Sequence, residues 1–172
     1  MTYSRHYLLI YLLLLIFIAT GCLTYSFTGT SIPQDVRTVY IPFLPDRTDS
    51  GIGDLSDRLN QALINRFINQ SRLSLANDKE NADSFIEGSI QSYRNQPFSV
   101  GGDEQANLNQ VQISVRATFQ FAKDEKPLWS KSFSGNSTYD VRTNPLDAEI
   151  EAAEEALQQI ANNMFNDAVG NW

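Results

Sequence analysis

From Val111 to Phe121 the chain alternates without a break. Val111, Ile113, Val115, Ala117, Phe119 and Phe121 occupy one set of positions, and Gln112, Ser114, Arg116, Thr118 and Gln120 the other. A period of two sends successive side chains to opposite faces of a strand. The segment therefore predicts a strand with one face in a core and the other against water or a partner. The polar stretch Lys123-Asp124-Glu125-Lys126-Pro127 reads as a turn, and Leu128 to Tyr139 as the return strand of a hairpin with Trp129 and Phe133 on its apolar side. Upstream, Val36 to Phe43 is rich in β-branched and aromatic residues, and Pro42 marks it as an edge strand or as a strand terminus. Leu73 to Ala76 is a short apolar alternation. Ser84 to Tyr93 is a further strand with Gly88 as a candidate bulge, followed by a loop from Arg94 to Glu104.

Two segments carry a helical period instead. From Asp54 to Asn69, the residues Leu55, Leu59, Ala62, Leu63 and Phe67 form one stripe, while Asp57, Arg58, Asn60, Gln61, Asn65 and Arg66 form the opposite face. From Leu146 to Ala168 the stripe is Ile150, Ala153, Leu157, Ile160, Ala161, Met164 and Phe165. Four glutamates, Glu149, Glu151, Glu154 and Glu155, stand in the amino-terminal half, where the helix dipole favours them. The order strand, helix, three strands, helix predicts an α+β domain, a two-layer sandwich with both helices on one face of a roughly four-stranded, mostly antiparallel sheet.

A different pattern opens the chain. Tyr7 to Ile18 is an apolar run of about a dozen residues, short of the roughly 20 that cross a bilayer as a helix. Arg5 and the amino terminus precede it, and Ala19-Thr20-Gly21-Cys22 follows. A positive start, a short apolar core and small residues ending in cysteine make up the signal of a bacterial lipoprotein. Cleavage between Gly21 and Cys22 leaves Cys22 as the acylated terminus; the one departure is Ala19, at a position where such signals usually carry leucine. The chain thus divides into a signal peptide (1–21), a lipidated tether (22–34) and a single domain (35–172).

Composition then narrows the chemistry. The only cysteine is the lipidation residue and the only histidine, His6, lies in the signal segment, so the mature part has neither for nucleophilic catalysis or for a zinc site. Gly51-Ile52-Gly53 and Gly101-Gly102 lack the remainder of a phosphate-binding loop and read as turns. Asp46, Asp49, Asp54 and Asp57 do not match a calcium-loop spacing and read as solvated loop and helix cap. A net charge of -7 with no basic cluster points away from nucleic acid. No catalytic residue, metal ligand or cofactor is expected, and the chain does not read as an enzyme. The closing Trp172 follows a helix rather than alternating strands, which sets aside an outer-membrane barrel.

Several segments in order resemble the LptE family of lipopolysaccharide-assembly lipoproteins. They are Gly21-Cys22 followed by Tyr25-Ser26-Phe27-Thr28-Gly29, Val36 to Phe43, Ala82-Asp83 leading into Glu87-Gly88-Ser89-Ile90, the alternating strand, Trp129-Ser130-Lys131-Ser132-Phe133, and the closing helix ending at Asn171-Trp172. The resemblance implies two helices against a four-stranded sheet. It also implies an outer-membrane, periplasm-facing, lipid-anchored protein that sits in the lumen of an LptD-type barrel, assists its folding and helps to deliver lipopolysaccharide. It carries over no lipid-binding residue. Arg116 is able to meet a lipid phosphate but reads as a solvated strand residue. Two other readings stand beside it: a subunit of a secretion or polysaccharide-export pore, similar to the amino-terminal domain type of TolB, and a periplasmic module binding a soluble ligand.

Overall fold

The computed structural model describes residues 32–99, 107–142 and 144–170. The signal segment with Gly21 and Cys22, the tether as far as residue 31, the Gly101-Gly102 turn and Trp172 lie outside the described residues. The elements run β1 (Thr38–Tyr40), α1 (Leu55–Phe67), β2 (Ser74–Leu75), β3 (Ser84–Phe98), β4 (Leu108–Phe121), β5 (Trp129–Asp140) and α2 (Pro145–Gly170). Both helices pack on one face of the sheet, as the periodicity predicts.

The sheet has five strands in the order β2-β1-β3-β4-β5, one more than expected, and it is mixed. β1 runs parallel to both β2 and β3, whereas β3, β4 and β5 are antiparallel. The short alternation at Leu73 to Ala76 supplies the extra strand, β2. β1 lies between two neighbours, so Pro42 marks the end of a strand and not a sheet edge. The line of β1 resumes beyond it, where the Ile90 N–H donates to Pro45 O and the Arg47 N–H to Ile90 O.

β3 also runs further than expected, through Asn95 and Pro97 to Phe98, because β4 begins at Leu108 and pairs with it over that whole length. The bulge is not at Gly88. Gly88 stands in regular register opposite Ala117, and a Cβ there would lie 2.3 Å from Arg116 O. Its lack of a side chain serves close approach, and the register shift falls between Ile90 and Ser92, leaving Gln91 as the extra residue. That shift changes the phase of the strand, so Ile90 and then Tyr93 turn toward the helices.

The core lies between this face and the helices. Phe67 of α1 meets Phe165 of α2 edge-on at 5.2 Å and Phe119 of β4 at 6.0 Å, and Phe119 stacks on Trp129 at 5.8 Å. Trp129 and Phe133 are buried, as the hairpin reading predicts, and so is the α2 stripe apart from the half-buried Ile150. α2 approaches β5 closely enough that a Cβ on Gly135 would lie 2.0 Å from Ala156 O. Pro145 opens α2 at a position that needs no N–H donor, after Asn144 in a left-handed conformation (φ 43°).

One residue of α1 departs from the amphipathic reading. Asn60, placed on the polar face by periodicity, is buried, and its Nδ2 donates to Ile41 O at 3.3 Å and Pro42 O at 3.2 Å. The chain leaves the sheet at Pro42, so these carbonyls lack strand partners; the amide side chain replaces them. Asp54 stands at the start of α1 without a side-chain capping bond and turns to Arg58 instead, at 2.9 Å.

Candidate functional site

The face of the sheet opposite the helices is open over β3, β4 and β5, and the register determines which residues share it. The cross-strand pairs Gln110 with Thr138, Gln112 with Asn136, Ser114 with Ser134, Arg116 with Ser132, and Thr118 with Ser130 lie on that face. All but Arg116 are neutral hydroxyl or amide side chains. Thr118 Oγ1 and Ser130 Oγ stand 2.8 Å apart in one such pair. β3 continues the face with Glu87, Ser92, Arg94 and Gln96, and with Ser89, which is buried there and accepts from Gln91 Nε2. Glu87 is ion-paired with Lys79, whose Nζ also sits 4.0 Å from the centre of the Phe85 ring. Lys79 thereby covers the Phe85 ring at this end of the face.

The far end of the hairpin has a polar network on the helix side, which the shift at Gln91 makes possible by turning Tyr93 inward. The Tyr93 hydroxyl donates to Glu149 Oε1 at 2.6 Å, and Asn95 Nδ2 donates to the Tyr139 hydroxyl at 2.7 Å. Asn109 Nδ2 donates to Asn95 Oδ1 at 3.0 Å. Burial, and then the neighbouring Glu149 carboxylate, push the Tyr93 hydroxyl above its ordinary value, so it stays neutral and serves as a donor. A second clamp fixes β1 to the start of β3. Asp83 Oδ2 accepts from the Arg37 N–H at 2.8 Å and from the Thr38 N–H and hydroxyl at 2.9 Å each. Those bonds hold its carboxyl below the usual carboxylate range.

Of the four aspartates that fail the calcium-loop spacing, Asp46 and Asp54 have local partners. Asp46 Oδ1 accepts from the Thr48 N–H at 2.8 Å and Asp54 pairs with Arg58. Among the described residues no three His, Cys, Asp or Glu side chains come together. Arg116 lies exposed in the middle of the neutral face, between Ser89 and Ser132. Cys22 and Gly21 lie outside the described residues. Among those described, no helix is long and apolar enough to cross a membrane.

Hydroxyl and amide groups both donate and accept. A face made mainly of them pairs with a polar wall of either bonding sense, and only Arg116, Arg94 and the Lys79-paired Glu87 bring charge to it. The alternation of β4 announces half of this surface in the sequence. The part on Arg94 and Gln96 is concealed there, because Pro97 and the glycines after it signal a loop.

No curated protein matches the sequence. Among solved structures, protein XCC0632 from Xanthomonas campestris is 13% identical, with a TM-score of 0.56 over 81% of this chain and 89% of that one. Protein CT253 from Chlamydia trachomatis is 9% identical, with a TM-score of 0.50 over 78% of this chain and 94% of that one. At these identities the likeness concerns the fold. The family model described as LptE, lipopolysaccharide-assembly, matches residues 36–168, from the approach to β1 to the last turns of α2, and the chain belongs to that family.

Proposed function

We propose that this chain is a lipid-anchored outer-membrane protein that catalyses no reaction, assists assembly of an LptD-type barrel, and helps deliver lipopolysaccharide to the outer leaflet. Family membership over residues 36–168 is the observation that carries this reading. The open sheet face supplies its physical basis, because a water-filled barrel lumen is lined by polar groups and a neutral hydroxyl and amide surface suits it. In this reading cleavage after Gly21 frees Cys22 for acylation, residues 22–34 form the tether and 35–172 the domain. Two acyl chains anchor firmly where one is marginal. The described chain begins within the last residues of that tether, at buried Ile32, where Arg72 Nη2 donates to Ile32 O at 2.6 Å and Pro33 O at 3.2 Å and holds them to the domain.

Depletion in cells, with surface lipopolysaccharide and the amount of correctly assembled barrel as readouts, tests the proposal. Loss of both supports it; unchanged surface lipopolysaccharide, with no barrel recovered on the purified chain, contradicts it. Replacement of Cys22 by alanine is expected to release a folded domain from the membrane fraction. Intact mass of the native product checks the premise, since a mature chain lacking the acyl mass removes the anchor from the account.

A further inference from the structure

β5 is one margin of the sheet and is 12 residues long, whereas the opposite margin, β2, has two. Its register with β4 is continuous and ends with the Val141 N–H donating to Asn107 O at 3.0 Å. Odd-numbered residues of β5 therefore turn their backbone groups toward β4, and even-numbered ones turn theirs outward. At Asn136 the outward groups are seen directly. Its N–H donates to Gln159 Oε1 at 3.2 Å and its carbonyl accepts from Gln159 Nε2 at 2.8 Å. One amide side chain of α2 stands where the peptide group of a neighbouring strand would be.

The same alternation makes Ser130, Ser132, Ser134 and Thr138 present an outward N–H and C=O, without a comparable clasp among the described residues. A long edge that lacks proline, bulge or outward charge is a template for another strand. β5 has no proline and no register shift, and its one lysine, Lys131, turns back to Asp167 at 2.5 Å. α2 lies against this strand at Gly135 and overhangs the edge. Between α2 and the second half of β5 is a cleft of about 310 Å³ lined by Thr138, Asp140, Glu151 and Glu155. Asp140 is neutralised by Arg142. Glu151 and Glu155 have no cationic partner among the described residues; Glu155 accepts only from the Ser137 hydroxyl.

We infer that the groove between the outer edge of β5 and α2 takes an extended peptide segment of a partner chain as a sixth strand, with basic side chains at the alternate positions that face Glu151 and Glu155. Gln159 is the group this strand displaces at Asn136. Backbone pairing to an open edge gives such a site its affinity, and the side chains that enter the groove give it selectivity. A second copy of β5 fits poorly, because Trp129, Phe133 and Tyr139 are committed to their own core and two such edges bring glutamate against glutamate.

The test titrates the isotope-labelled full chain, purified in detergent, with a synthetic peptide of about nine residues alternating lysine and threonine. Amide hydrogen exchange should slow at Ser132, Ser134 and Thr138. Proline at alternate peptide positions should weaken binding by about tenfold or more, since it removes the N–H groups that pair. On the protein, Ser132→Pro deletes one outward N–H, spares the ladder with β4 and should weaken binding similarly, with circular dichroism reporting the fold. Gln159→Ala removes the competing amide and should tighten binding about twofold to tenfold. Binding that survives both proline changes is charge attraction alone and overturns the inference. So does binding left unchanged by Gln159→Ala, or an edge protected only by self-association.

Discussion

Val111, Ile113, Val115 and Phe119 are inaccessible to solvent, whereas Gln112, Ser114 and Thr118, one residue away along the same strand, remain in its reach. The covered face is specified by volume: rings interlock around Phe119, and at Gly88 and Gly135 there is no room for a single carbon. The open face is specified by polarity, with hydroxyl and amide groups at nearly every position and no contact that demands one shape. Packed interiors respond to one methylene, while polar surfaces tolerate exchange. The fold is therefore expected to fail through the first face and partner recognition through the second.

The sharpest contrast is a single heavy atom changed on each side. Gly135→Ala puts a Cβ against the Ala156 carbonyl and should cost about 3 kcal/mol or more, read as a fall in denaturation midpoint. Ser134→Ala, its neighbour on the open face, should stay within about 0.5 kcal/mol. If the two variants unfold alike, the division of labour between the faces is wrong. Asn60→Ala sharpens the contrast at a polar residue of the covered side. It leaves the Ile41 and Pro42 carbonyls without their donor and should cost about 1–3 kcal/mol in the same assay.

Asp83→Asn should have a smaller effect, about 1 kcal/mol, because solvent reaches the clamp. Its carboxyl is held below the ordinary value of 3.8, so the charged form stabilises the fold above that pH, and this contribution is lost as pH falls through the lower folded value. Acid denaturation curves of wild type and Asp83→Asn should accordingly be fully separated above about pH 3.8, draw together as pH falls below it, and meet below the lower folded value. Parallel curves across the whole range would remove Asp83 from the account of acid stability.

Strong periodicity made much of this fold legible. The α1 and α2 stripes, the alternation of β4 and the β4–β5 hairpin occupy the positions that period alone assigns. Three features escaped it for physical reasons. β2 is too short to carry a period, and its pairing comes from a parallel neighbour distant in sequence. β3 continues through Pro97, which tertiary pairing overrides as a turn signal. Asn60 looks like any polar surface residue until the carbonyls freed at Pro42 are brought beneath it. The neutral open face was half visible as alternating glutamine, serine and threonine in β4; its continuation on β5 depends on the register.

The central claim is that the open face carries partner recognition and the covered face carries the fold. The most direct measurement compares the double variant Gln110→Glu/Ser134→Glu with wild type, for denaturation midpoint and for recovery of the outer-membrane barrel on the purified chain. The account predicts an unfolding free energy, read from that midpoint, within about 0.5 kcal/mol of wild type and a large loss of barrel. Full barrel recovery by the folded variant, with two charges buried against a lumen wall, would contradict it.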